Sequence, residues 1–147
     1  MVPLLLGGAN ASLLRPPINV LRLSLHPAGL ASRIVNLREW RAHLLERLAK
    51  QIDVSADQTL IDLMQELRSY PQTSTAAAGL RTGNRDYAGV VVPLELSMNG
   101  NVLAFFSTTT VFGTPVDITL SELAMESFFP ADAATTEALR RVSEGVE

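Results

Sequence analysis

The sequence predicts an α+β fold in which helices come first and an antiparallel sheet follows. Three observations carry this reading. Leu37 to Gln51 has a helical period, Ala56 to Ser69 has a second, and the chain after Val90 alternates in β-rich runs joined by Asn99-Gly100. Helices grouped ahead of strands belong on one face of an antiparallel sheet, not between parallel strands.

The amounts of material fit a single domain spanning residues 1–147. The chain has 147 residues and a mass of 15.9 kDa. A chain of that size buries roughly two-thirds of its unfolded surface and needs no metal or disulfide staple. Apolar residues make up 47%, an ordinary share, but charged residues are only 18% and mean hydropathy is +0.20. A surface so short of charge leaves apolar area to be covered by a ligand, a second domain or a partner.

The same counts exclude whole classes of function. With no cysteine, thiolate catalysis, iron–sulfur centres and cysteine-zinc sites are out. Twelve Lys and Arg stand against fifteen Asp and Glu, a net charge of −3, whereas holding nucleic acid by its phosphates needs a basic face. No apolar run reaches the roughly 20 residues that cross a bilayer. Met1 to Leu6 is apolar but lacks a basic flank and is interrupted by Gly7 and Gly8, which is not a secretory signal. A cytoplasmic protein without membrane contact is expected.

The elements follow in order. Ile18 to Leu25 fits two patterns: Leu21, Leu23 and Leu25 alternate as in a strand, while Ile18, Leu21 and Leu25 share one side of a helix. His26-Pro27-Ala28-Gly29 ends either one as a turn. In the next helix Leu37, Trp40, Leu44, Leu45 and Leu48 mark the packed face, and Asn36 with Glu39 has the form of a capping box. Ser55 with Gln58 opens the second helix in the same way, and Tyr70-Pro71 closes it. Gln72 to Tyr87 reads as a long irregular loop.

Beta structure then begins. Val90 to Ser97 is a strand, Met98 to Asn101 a hairpin turn, and Val102 to Phe112 the returning strand. Leu103, Phe105, Ser107 and Thr109 take one face of it; Ala104, Phe106 and Thr108 take the other. Gly113-Thr114-Pro115 breaks it. Thr119 with Glu122 would open a helix, but alternation from Glu122 to Phe129 favours a strand, and the strand is the preferred reading. Asp132 caps a last helix over Ala133 to Val142.

Little in this inventory can do chemistry. His26 and His43 lack metal-ligand spacing. Ser107 to Thr110 has no nucleophile elbow, and Asp117, Glu122 and Glu126 read as a solvated face. Gly7-Gly8 fits no phosphate loop. No catalytic residue, metal or cofactor is expected. The strongest functional hint is the pair of doublets Phe105-Phe106 and Phe128-Phe129. On a strand each doublet sends one ring to either face, so both faces must be covered, by helices, a ligand or a partner.

Several ordered segments resemble the ligand-binding domain of the MmyB-like transcription regulators. They are Asn19 to Pro27, Gly29-Leu30, Arg33 to Leu37 and Glu39 to Leu45 in the first half. In the second half they are Val91 to Leu94, Phe105 to Asp117, Leu120 to Ala124 and Glu126 to Asp132. The resemblance runs from Pro16 to Arg141. It implies a PAS-like fold and a helix rather than a strand for Asn19 to Leu25. It also implies a regulator of the helix-turn-helix XRE type, in which DNA is contacted only through a helix-turn-helix domain preceding this one. That domain, and the first strand of the PAS-like sheet, have no counterpart in the sequence. Members of the family are taken to sense a small, lipophilic molecule. Carried onto this sequence, the pocket lining is Trp40, Phe105, Ser107, Thr109, Met125 and Phe128, with the ligand between the Trp40 helix and the sheet. The partners are that small molecule and a second copy in a homodimer. The alternative is a dimerisation or protein-interaction module without a ligand, with a filled core and an exposed apolar patch.

Overall fold

A computed structural model describes residues 8–72, 92–112 and 123–144. A 3-10 turn over Ala11–Leu14 leads to helix α1, Val20–Leu25. The helical alternative for this segment therefore holds. Its start is fixed by Asn19, whose Oδ1 accepts from the backbone N–H of Leu21 at 3.1 Å and of Arg22 at 3.0 Å. Strand and helix patterns are hard to separate here because a helix of 6 residues spans less than two turns.

After α1 the chain reverses tightly. His26 Nδ1 accepts from the Ala28 N–H at 3.0 Å, and the Leu30 N–H donates to the Leu23 carbonyl at 2.8 Å. Gly29 makes this possible: a Cβ there would lie 2.2 Å from the Leu23 carbonyl oxygen. A 3-10 turn over Ala31–Arg33 follows, and Ile34 then bridges to Leu96 of the sheet.

Helix α2 spans Leu37–Ser55 and buries Leu37, Trp40, Arg41, Leu44 and Leu48. The expected capping box at its start is not made. Asn36 forms no cap hydrogen bond; its Nδ2 donates to the Pro93 carbonyl at 2.8 Å and its Oδ1 accepts from the Glu95 N–H at 3.1 Å. With the Val35 N–H on the Glu95 carbonyl at 2.8 Å, the amide extends the sheet edge as a peptide group would. At its other end α2 runs past the expected stop and takes in Ser55, whose hydroxyl donates to the Gln51 carbonyl at 2.8 Å. Ala56, at φ 50°, terminates it. Helix α3, Gln58–Ser69, is capped by Asp57 and not by Ser55: the Asp57 carboxylate accepts from the Thr59 N–H at 2.7 Å.

The last turn of α3 is bound to α2 by one side chain. Arg41 is buried, and its guanidinium donates to the carbonyls of Leu67 at 2.9 Å, Arg68 at 2.8 Å and Tyr70 at 2.7 Å. These are carbonyls that a helix end leaves without intrahelical partners, and the charge also suits the negative end of the helix dipole.

Strands β1 (Leu94–Met98), β2 (Asn101–Phe112) and β3 (Leu123–Pro130) form an open antiparallel sheet in the order β1-β2-β3. Asn99 and Gly100 have φ of 51° and 78°, the two positive values that a tight hairpin asks for. The strand reading of Glu122 to Phe129 thus holds for Leu123 onward. Leu94, Leu96, Leu103 and Phe105 face the helices and join Leu25, Trp40, Leu48 and Leu67 in one core. Helix α4, Ala133–Glu144, follows β3 directly, and Asp132 accepts from the Thr135 N–H at 2.7 Å. The buried Thr135 hydroxyl accepts from the Ala104 N–H at 3.0 Å, which satisfies β2 where β3 has ended. The expected loop over residues 73–87 and the break at Gly113-Thr114-Pro115 lie outside the described residues. The architecture is α+β: N-terminal helices pack against a three-stranded antiparallel sheet, as in a PAS-like fold.

Two substitutions test these joints. Gly29→Ala should cost about 1–3 kcal/mol, since the methyl must displace backbone, read as a lower urea midpoint. Arg41→Met should cost about 2–4 kcal/mol by leaving carbonyls at the end of α3 unpaired. The fast-exchanging amides should then cluster in α3, as hydrogen exchange would show.

Candidate functional site

Leu44, Arg47, Leu48 and Gln51 are spaced at i, i+3, i+4 and i+7, so α2 presents them on one face. That face meets α1 and β3 around a cavity of about 190 Å³, lined by these four with Val20, Leu21 and Glu126. Four of the lining side chains are aliphatic, Val20, Leu21, Leu44 and Leu48, and three are polar, Arg47, Gln51 and Glu126. An engineered aliphatic cavity of about 150 Å³ takes up benzene, whereas drug-sized ligands occupy about 300–1,000 Å³. The space present therefore suits a small ring or a short alkyl segment, and a longer molecule would have to extend outward. A second hollow, about 510 Å³, lies between the end of α2 and α3 against Lys50, Gln51, Val54, Ser55 and Leu60. It is a shallow surface depression, whereas the first is a deeper cleft, half open to solvent, between three elements.

Arg47 organises the polar side. Its Nη1 lies 2.7 Å from Glu126 Oε1 on β3, and its Nη2 donates to Thr109 Oγ1 on β2 at 3.0 Å. One guanidinium thus ties α2 to two strands. The pair is partly exposed, with side-chain exposures of 37% and 29%, so it contributes only about 0–1 kcal/mol to stability. Its larger effect is geometric: it sets the distance between α2 and β3, and hence the width of the cavity.

The six residues expected to line a pocket are not all brought together. Trp40 and Phe105 are buried at 3% and 5% exposure within the packed core. Trp40 Nε1 donates to Ser24 Oγ at 3.0 Å, which joins α1 to α2. Ser107 pairs with Phe128 and Thr109 with Glu126, so all four lie on the helix-facing side of the sheet. Met125 pairs with Thr110, one residue out of step, and falls on the opposite face. None of the six lines the cavity directly; Thr109 reaches it through Arg47. The sequence pattern places Glu126 on a solvated face, and the structure brings it with Arg47 to the cavity. The signal for Arg47 is its place in the Leu44, Leu48, Gln51 spacing; nothing local marks Glu126.

Two neighbouring groups shape the electrostatics. His43 lies against Trp40 with ring centroids 5.6 Å apart. Burial, reinforced by the positive charge of Arg47, pushes its imidazole below the usual value and keeps it neutral at pH 7. On the far side of α1, Arg22 Nη2 lies 2.7 Å from Glu66 Oε2, with Nε also donating to the carboxylate at 2.9 Å. Tyr70 donates its hydroxyl to the same carboxylate. The Arg22 hydrogen bonds, then that of Tyr70, hold Glu66 below the usual carboxylate range, while burial and Glu66 push Tyr70 up to about 12.

What the fold and cavity define is a binding module. Among the described residues no three His, Asp or Glu side chains gather as a metal site, and no helix is long and apolar enough to cross a membrane. Residues 2–142 match the family model described as the MmyB-like transcription regulator ligand binding domain, and the chain belongs to that family. The family is one of ligand-binding domains of transcription regulators. No curated protein and no solved structure matches the chain.

The Glu66 cluster gives a pH prediction. A carboxylate whose folded value is lowered stabilises the protein above its unfolded value, about 4.3. That contribution is lost as pH falls through the folded value. Urea midpoints of the wild type and Glu66→Gln should therefore differ at pH 7 and converge toward pH 3, the wild type losing more on acidification.

Proposed function

We propose that this domain senses a small lipophilic effector for a transcription regulator, and that the effector occupies the cavity between α2 and β3. The observation that supports this best is a cavity lined by four aliphatic and three polar side chains, in a chain of a ligand-binding family. The apolar part of the effector would lie against Leu21, Leu44 and Leu48, and its polar end at Arg47, Glu126 and Thr109. Ser107 and Phe128 share that sheet face and would meet a molecule reaching past the cavity, over the floor made by Trp40 and Phe105. Because Arg47 spans α2, β2 and β3, an occupant that displaces its carboxylate or hydroxyl changes how the helix sits on the sheet. That is the differential contact a population shift requires. DNA enters this reading only through a separate helix-turn-helix domain, and the setting is cytoplasmic.

A second reading, an interaction module without ligand, is favoured by one observation: Met125, Phe128 and Phe129 are about half exposed. Native mass spectrometry of protein purified from cells separates the two. A stoichiometric lipophilic mass released on denaturation, and lost in Leu21→Trp with the fold intact, is the expected result. A clean unliganded mass for both proteins would replace the sensor reading with the interaction module.

A further inference from the structure

The charges in the cleft between α1, α2 and β3 bear on what it can hold. Its lining includes one cation, Arg47, and one anion, Glu126. The two are already joined, Nη1 to Oε1 at 2.7 Å. Arg47 directs its Nη2 to Thr109 Oγ1 at 3.0 Å. Glu46 and Lys50, on either side of Arg47 in α2, are paired with each other at 2.7 Å and stand largely in solvent. His43, one turn before Arg47, is kept neutral at pH 7 by burial and by the Arg47 charge. The polar lining is therefore uncharged on balance, yet rich in hydrogen-bonding groups. The Gln51 amide both donates and accepts, and the Thr109 hydroxyl has its own proton to give. The Glu126 carboxylate has more acceptor positions than the contact with Arg47 fills.

These groups treat an acid, an amine and an uncharged head differently. An acid can reach Arg47 only by displacing Glu126. It then exchanges one carboxylate for another and leaves Glu126 beside a like charge, after the acid has given up its own water. An amine does the mirror image: it reaches Glu126 by displacing Arg47 and stands beside a second cation. An uncharged head avoids both. Its oxygen can replace Thr109 Oγ1 on Arg47 Nη2 like for like, its proton can go to Glu126, and the ion pair stays closed.

We infer that the effector's polar end is uncharged and both donates and accepts hydrogen bonds, as an alcohol or a primary amide does, on a short apolar body. The inference rests on the sensor reading above and names the chemical class of the molecule sensed. It also gives the two arms of Arg47 different parts. The arm to Glu126 persists in the occupied site and keeps α2 on β3. The arm to Thr109 passes to the effector, and α2 loses that hold on β2. A bound head thus distinguishes two seatings of α2 without separating an ion pair, which is the differential contact that shifts a population.

Three probes that share one apolar body test this: 1-octanol, octanoate and octylammonium. Each is titrated at pH 7, below the concentration at which it aggregates, and followed through the methyl shifts of Leu21, Leu44 and Leu48. In the wild type 1-octanol should bind about tenfold or more tightly than either ion. Any apolar surface prefers an alcohol to an ion, so the order must also respond to the charged pair. In Glu126→Gln, which leaves the Arg47 charge unmatched, octanoate should gain about tenfold on 1-octanol. In Arg47→Gln, octylammonium should gain by a similar factor. Both variants alter a partly exposed pair and should keep the wild-type circular dichroism spectrum, and either one that folds suffices. An ion that binds the wild type as tightly as 1-octanol overturns the inference and leaves the sensor reading standing. So does a gap between octanoate and 1-octanol that is unchanged in Glu126→Gln, or one between octylammonium and 1-octanol unchanged in Arg47→Gln. No saturable shift with any of the three overturns the sensor reading and this inference together.

Discussion

The buried guanidinium of Arg41 binds the end of α3 to the second turn of α2, and most of the remaining packing depends on where that places α2. A buried cation needs full hydrogen bonding to be tolerable. Here three carbonyls at a helix C-terminus accept from it. The arrangement satisfies both sides at once, because the same carbonyls would otherwise be short of donors. With α3 held behind it, α2 has one face left for the sheet, and Trp40, Leu44 and Leu48 fill it. Asn36 then joins the start of α2 to the edge of β1 through two side-chain hydrogen bonds. The helix is therefore fixed behind, at its start and across its sheet-facing side.

Near the middle of α2 the attachment is weaker. There Arg47 meets Glu126 and Thr109 in a partly exposed position, where an ion pair contributes little net stability. Apolar packing gives way to a cavity at the same place. A strongly held beginning and a loosely held later part are what a sensing element needs, since a bound molecule can shift a structure only by as much as it distinguishes two states.

How much of the molecule is legible in the sequence depends on whether the cause is local. The period of Leu37 to Leu48, the Asn99-Gly100 turn and the Asp132 cap each act over a few residues, and each stands in the structure. The strand at Leu123–Pro130 is legible from its alternation. Asn36 reads locally as a helix cap, but its partners, Pro93 and Glu95, are nearly sixty residues away. Ser55 reads as a cap for α3 because nothing nearby shows that α2 will run past it. The family resemblance, by contrast, correctly selects a helix for Asn19 to Leu25. The expected pocket lining mixes two faces of one strand, although the parity of β3 already separates Met125 from Phe128. Arg47 and Glu126, 79 positions apart, are joined only by the fold.

The central claim is that a lipophilic molecule enters between α2 and β3. A methyl-resolved NMR titration with 1-decanol, a neutral lipophilic probe, tests it most directly. The account expects saturable shifts in the methyls of Leu21, Leu44 and Leu48, with Met125 on the other face of the sheet unmoved. Shifts confined to Met125, or none below the solubility limit of the probe, would contradict it.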